Sequence, residues 1–375
     1  MNVKKAVFSI LLSIFTIFST FSNVFSYDNY KLEENTNKNS SNDALKEEFQ
    51  TLLKDLFNER NNAVVSFNCE NLKKFYNLDI KASLWAYESE NIKIQYLKNW
   101  AEKQGVVFNN IQSTVKVTKV KEKEKNLFEV VCLLSTEFDY SYLDNNKEHN
   151  KFKLGTSHYL NLRKIDDKYV ITKEWYKDPF ADSLDLNNIN SEEIKEYILS
   201  KNKPEISLNE KTNKAIEYAH RFCGVSDEEE YLFKYNKEYT NFNPEGGDCA
   251  NFASQILYES GLFKKNNLWN YSNKEGSKAW INAQGFKNYM VNSGRASYIT
   301  KGSYKQVYKD AYNLRPGDFV AYEKGGKIVH ISVVTGLDSK GYPLVTCHNT
   351  DRLLVPYDLG WSNPNIKFHL INVHN

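Results

Sequence analysis

Cysteine is scarce in this chain: Cys69, Cys132, Cys223, Cys249 and Cys347 are the full set among 375 residues. That density excludes a disulfide framework as the main source of stability. An odd count leaves at least one thiol unpaired. A Cys69–Cys132 bridge is compatible with the N-terminal half, and Cys249 is the thiol best assigned as free. Charge of one sign is lacking too. The formal net charge is +2, which excludes nucleic acid as a main partner. Long apolar runs are missing after the first residues, so no later segment has the length to cross a bilayer. Cys-x-x-Cys and His-x-x-x-His spacings are absent, which leaves a zinc centre built from Cys249, His330 and His348 without sequence support.

What is present begins with an export signature. Lys4 and Lys5 precede an apolar core from Ala6 to Phe21, and Val24 and Ser26 satisfy the small-residue rule for cleavage after Ser26. Residues 1–26 therefore read as a signal peptide, and the protein as secreted or held at the cell surface, with no membrane contact beyond that segment. Residues 27–42 are polar and read as a disordered spacer.

Residues 43–178 then read as an N-terminal α+β domain. Leu45, Phe49, Leu52, Leu53, Leu56 and Phe57 recur at helical spacing. Helical stretches follow at Leu72–Phe75 and Tyr87–Glu102, with Gly105 as the C-cap. Long β-branched and aromatic stretches come next: Ile111–Val120, Leu127–Tyr142, Phe152–Arg163 and Tyr169–Tyr176. Charged segments at Lys121–Lys125 and Asp144–His149 read as the turns between them. No catalytic cluster is evident here, and His149 and His158 read as ordinary sheet or surface residues. Residues 179–212 form a polar linker with a short helix near Glu192–Leu199. Residues 213–375 read as a second α+β domain, a helix packed on an antiparallel sheet with strands at Phe319–Tyr322, Val329–Thr335 and Leu344–His348.

The most informative stretch is Gly246-Gly247-Asp248-Cys249-Ala250-Asn251-Phe252-Ala253-Ser254-Gln255. Phe252, Ala253, Ile256 and Leu257 lie three, four, seven and eight residues beyond Cys249, so the cysteine opens the apolar stripe of a helix. Asp248 fits an N-cap. Backbone N–H groups at a helix start favour the thiolate, while an ionised Asp248 opposes it. His330 lies in an apolar strand. A hairpin turn centred on Ser339 sets His330 opposite His348, or opposite Asn349 after a half-residue shift, and sends Cys347 to the other face. A cysteine, an imidazole and a polar group behind the ring are the parts of a thiol catalyst. The amides near enough in sequence to meet an oxyanion are Asn243 and Asn251.

These motifs, with Leu-Arg-Pro-Gly-Asp at 314–318, His-Ile-Ser-Val-Val-Thr-Gly at 330–336 and His-Asn-Thr-Asp-Arg at 348–352, resemble the bacterial putative amidase domain of the papain-like, cell-wall-hydrolase-related superfamily. The resemblance covers roughly residues 210–375. It implies a papain-like fold, Cys249 as nucleophile, His330 as base and His348 or Asn349 as orienter, with no cofactor. The N-terminal half resembles, by architecture, the nuclear-transport-factor-2-like domains. The expected activity is hydrolysis of peptide or peptidoglycan stem-peptide amides through an acyl-thioester. The alternatives are a thiol acyltransferase and a non-catalytic wall- or partner-binding module. Trp269, Tyr271, Tyr298, Tyr357 and Trp361 either line a substrate groove or fill core and rim.

Overall fold

The computed structural model describes residues 39–183 and 191–374; the expected signal peptide and most of the expected spacer lie outside them. Helix α1 spans Asn39–Ser66 and so takes in residues 39–42 of that spacer. Phe49, Leu53, Leu56 and Phe57 are buried, with Leu45 and Leu52 packed against them. A short 3-10 turn at Glu70–Phe75 leads to α2, Lys81–Gln104. Gly105 closes α2 in the left-handed conformation, φ 73°, its N–H bonded to the carbonyls of Ala101 and Glu102. Among the described residues no helix is long and apolar enough to cross a membrane.

Four strands follow: β1 Val106–Glu124, β2 Leu127–Tyr142, β3 Asn145–Ile165 and β4 Lys168–Tyr176. The charged stretches expected as turns belong largely to the strands. Cross-strand charge pairs make that stable: Lys123 meets Glu129 at 3.3 Å and His149 meets Asp139 at 2.6 Å. The turns shrink to a few residues, with Asn126 at φ 64°.

Helix α3, Glu192–Leu199, is the short helix expected in the linker, but it is docked: Ile194 and Ile198 are buried. Helix α4, Glu210–Phe222, is capped by the Asn209 side chain, which accepts from Thr212 N at 2.9 Å. Helix α5, Cys249–Glu259, is followed by a small hairpin of β5 Tyr271–Ser272 and β6 Glu275–Gly276. The second amphipathic stretch splits into α6 Lys278–Ile281 and α7 Ala283–Asn292 at Asn282, whose side chain accepts from Gly285 N. A Cβ on Gly285 would lie 2.4 Å from the Lys278 carbonyl, so only glycine permits that break. The remainder is β7 Ala296–Gly302, α8 Tyr304–Val307, β8 Phe319–Lys324, β9 Lys327–Leu337, β10 Pro343–Cys347, β11 Arg352–Pro356 and β12 Ile366–Val373.

The two halves share one ten-stranded sheet, in the order β1-β2-β3-β11-β10-β9-β8-β12-β7. Strand β3 carries β2 along one edge. Its other edge is divided: β4 pairs with His158–Ile165, and β11 pairs with Lys153 and Leu154. Gly155 N donates to Asp351 O at 2.7 Å in the gap. The end of β4 therefore abuts the start of β11. The larger core runs beneath both halves, from Phe49 and Trp100 to Val345, Phe368 and Leu370. A second core lies on the other face, between the sheet and helices α4, α5 and α7.

A buried ion pair crosses the join. Lys103 Nζ lies 2.6 Å from Asp358 Oδ2 and 2.9 Å from the Tyr304 hydroxyl, with both charged side chains 1% exposed. Burial pulls the Lys103 pKa down, and Asp358 opposes that. Trp100 Nε1 and the Tyr342 hydroxyl also donate to Asp358. Lys103→Met leaves that carboxylate without its cation, and the expected loss is about 3–5 kcal/mol. Chemical denaturation should show it, and Lys103→Met with Asp358→Asn should recover part of it.

Candidate functional site

The chain reaches Cys249 through a 3-10 turn, Asn243–Glu245, and two glycines at φ 120° and 144°. A Cβ on Gly247 would lie 2.6 Å from Asn349 Nδ2, whereas one on Gly246 would meet open space. Gly247 is thus packed against Asn349, while Gly246 faces open space. Helix α5 is buried all round from Cys249 to Leu257, not along one stripe, because it lies between the sheet and neighbouring helices.

Asp248 precedes the helix but caps nothing with its side chain. Its Oδ1 accepts from Phe242 N and Asn251 Nδ2, each at 2.9 Å, and its Oδ2 accepts from His348 Nδ1 at 2.6 Å. The other ring nitrogen of His348 donates to Phe222 O at 2.8 Å. The ring is stacked between Tyr235 and Phe252, at 3.8 and 3.7 Å between centroids. His348 thus ties the loop before Cys249 to the end of α4. It does not orient His330.

The register explains why. Pro343 and Leu344 pair with Leu337 and Gly336; a bulge then shifts the pairing to Val345–Val334 and Thr346–Val333. That slip changes which side chains share a face. His330 Nε2 lies 3.2 Å from Cys347 Sγ, so the cysteine expected on the far face is the ring's hydrogen-bonding partner. Trp361 stacks on the His330 ring at 5.1 Å and Tyr322 flanks it at 5.6 Å. Burial, reinforced by the charges of Arg352 and Lys177, holds the imidazole pKa well below its usual range, so the ring is neutral.

Beyond Thr346 the paired edge of β9 ends, and the tip of α5 fills the parting. Burial pushes the Cys249 thiol up to about 12; the Ile331 and Ala250 backbone N–H groups pull it down, while Cys347 and Asp248 push it further up. Burial also lifts Cys347, to about 11. No hydrogen bond joins Cys249 to His330 among the described residues; Cys249 meets the Ile331 N–H, and His330 meets Cys347. Asn349 turns away at φ 77°, and its Oδ1 accepts from Lys177 Nζ at 2.9 Å. It serves that lysine and packs on Gly247, with no bond to the His330 ring.

Both expected oxyanion amides are engaged. Asn251 Nδ2 donates to Thr240 O as well as to Asp248, and its Oδ1 accepts from Trp280 Nε1. Asn243 Nδ2 donates to the Tyr235 hydroxyl at 3.2 Å, and its Oδ1 is buried with no partner. Backbone N–H groups are the donors near the sulfur. His330 and His348 face opposite sides of the sheet, so they share no coordination point with Cys249. Among the described residues no trio of ligating side chains converges on a metal position. All five cysteines are free; Cys69 contacts the Tyr87 hydroxyl and Asn91, and Cys132 is buried in β2, so the expected bridge does not form. Trp269, Tyr271 and Tyr357 are core residues, Tyr298 is exposed, and Trp361 covers His330.

The N-terminal half holds a polar cluster that sequence reasoning missed. Arg60 forms an ion pair with Glu174, His158 Nδ1 bonds Glu174 at 2.8 Å, and Lys93 pairs with Glu90 at 2.5 Å. Arg60, Glu90, Lys93 and His158 line a cavity of about 60 Å³. Their spacing in the chain carries no local motif, so nothing short of the folded sheet could reveal the cluster.

Residues 209–371 match the family model described as Putative amidase domain. That match supports a hydrolase acting on amides. No curated protein matches the chain. Solved structures similar to the chain include the Putative Scytalone Dehydratase from Novosphingobium aromaticivorans, at 9% identity and TM-score 0.25, covering 36% of this chain and 85% of that one. An NTF-2-like protein of unknown function from Shewanella oneidensis matches at 16% identity and TM-score 0.20, over 34% of this chain and 96% of that one.

The raised thiol sets a pH expectation. Thiolate is the form that alkylates, and its fraction climbs until pH reaches about 12. Labelling of Cys249 by iodoacetamide should therefore rise roughly tenfold per pH unit from 7 to 10 without a plateau. Peptide mass spectrometry reads this directly, and a plateau near neutrality would reveal a resting thiolate instead.

Proposed function

We propose that this protein is an exported thiol amidase acting on peptide or peptidoglycan stem-peptide amides, with Cys249 as nucleophile and His330 as base. One observation carries the reading: within the segment matching an amidase domain, the Cys249 sulfur sits at a helix tip facing backbone N–H groups. The Lys4–Ser26 signature supports export.

A neutral thiol and a neutral imidazole define the starting state. The Cys249 sulfur attacks the amide carbonyl carbon as its proton passes to His330, forming the S–C bond and an oxyanion. The backbone N–H groups at the helix tip receive that oxyanion. The imidazolium then gives its proton to the leaving nitrogen as the C–N bond breaks, leaving a thioester and an amine. Water, deprotonated by His330, attacks the thioester; the acid departs and the thiol regains its proton. His348 and Asp248 act as positioning residues that hold the loop before the nucleophile.

A second reading has its own support. Cys347 is the sulfur in hydrogen-bonding contact with His330 at rest, at 3.2 Å, which favours Cys347 as nucleophile. A peptide-amide panel and purified peptidoglycan, tested with both cysteine variants, separate the two. Cys249→Ala should lower kcat by at least about a thousandfold, and Cys347→Ala far less. The reverse order would transfer the role to Cys347. Turnover no higher than background in wild type and both variants would leave a binding module. An amine acceptor that diverts the product from acid to new amide would identify an acyltransferase.

A further inference from the structure

Lys177, from the N-terminal half, is a cation near the parting that holds Cys249, close enough for their charges to interact, and the fold puts it there. It follows directly on β4, whose last residue pairs with His158 on the β3 edge. The same edge takes up β11 at Leu154, with Asp351 bonded to Gly155 between them. Residue 177 therefore emerges beside residues 349–351. Its Nζ donates to Asn349 Oδ1 at 2.9 Å, and Asn349 in turn lies on Gly247, two residues before the nucleophile.

The segment after Lys177 is strapped to the C-terminal half. Pro179 O accepts from Arg352 Nη2 at 2.9 Å, Asp182 pairs with Lys324, and Ser183 Oγ accepts from Ser362 N at 2.8 Å. Lys177 is thus held in place by a rigid frame.

Its charge is unmatched. Lys103, Lys324 and Lys340, the other lysines along this join, each form an ion pair with a carboxylate. Among the described residues Lys177 forms none. The nearby carboxylates are committed elsewhere: Asp248 to His348, and Asp351 to the Tyr235 hydroxyl at 2.5 Å. The surrounding protein pulls the lysine pKa down, a cost that an arriving anion would relieve. Lys177 itself is exposed, so a ligand can reach it.

We propose that Lys177 is a substrate-binding residue for a free carboxylate near the scissile carbonyl, so that the preferred substrates are anionic amides. The proposal rests on Cys249 as the reacting sulfur. The N-terminal half then supplies part of the specificity of a site whose chemistry lies in the C-terminal half.

Iodoacetate and iodoacetamide test it, because they differ at one position, carboxylate against carboxamide, and both report on the Cys249 sulfur. Their labelling rates on the full chain at pH 8 are compared by peptide mass spectrometry, with the denatured chain as the free-thiol reference. Taking the ratio cancels any change in thiolate fraction. The native protein should favour iodoacetate over the reference ratio by about fivefold. Lys177→Met should abolish that preference, Lys177→Glu should invert it, and Lys177→Arg should retain it. An unchanged ratio in Lys177→Met overturns the proposal, as does a native ratio equal to the reference or a Cys249 that accepts neither reagent. Equal slowing of both reagents would assign Lys177 to the thiolate and likewise overturn a carboxylate site. Amide turnover is scored separately, so a charge-selective but non-hydrolytic protein would keep this site and lose the proposed reaction.

Discussion

Two rungs of main-chain pairing between β3 and β11 decide the architecture. They convert a four-stranded sheet and a six-stranded one into a single surface, and both cores are laid against it. The fit leaves no slack. A Cβ on Gly155 would lie 2.7 Å from Val225 and 2.9 Å from Asp351, and one on Gly224 would lie 2.2 Å from the Asp351 carboxylate. With the strands fixed so closely, the Lys103–Asp358 pair can be buried with its aromatic neighbours, and the segment after β4 can be strapped to the C-terminal half.

The electrostatics of the site follow from the same packing. Desolvation dominates each titratable group at the parting of β9 and β10, raising both thiols and depressing the imidazole. All three are neutral at rest. In the proposed reaction charge develops against the backbone dipoles and the proposed Lys177 site. The buried Asp248–His348 pair stands apart from those groups and fixes the loop before Cys249.

Local signals were legible in the chain. The helix that starts at Cys249, the Gly105 cap, the short helix at Glu192 and the strand Leu127–Tyr142 all follow from periodicity and cap chemistry. A single bulge after Leu344 defeated the face assignment, exchanging Cys347 and His348 as neighbours of His330. A bulge is a backbone event with no residue signature here. Asp248 has the right type for an N-cap, but a buried histidine arriving from a hundred residues away claims its carboxylate. The seam between β3 and β11 is made by main-chain groups, which every residue carries, so two separate domains were the natural reading. Lys177 reaches the site only because that seam exists.

The divided edge of β3 also bears on how the chain comes together. Strand β4 covers the edge from His158 onward as soon as it is made, but Lys153 and Leu154 must wait for Leu353 and Arg352, near the C-terminus. During synthesis that stretch is an open template for pairing with any extended neighbour. The stretch from Asp351 onward therefore acts as an internal bandage, and a chain truncated before Asp351 would emerge with its own polymerisation edge bare.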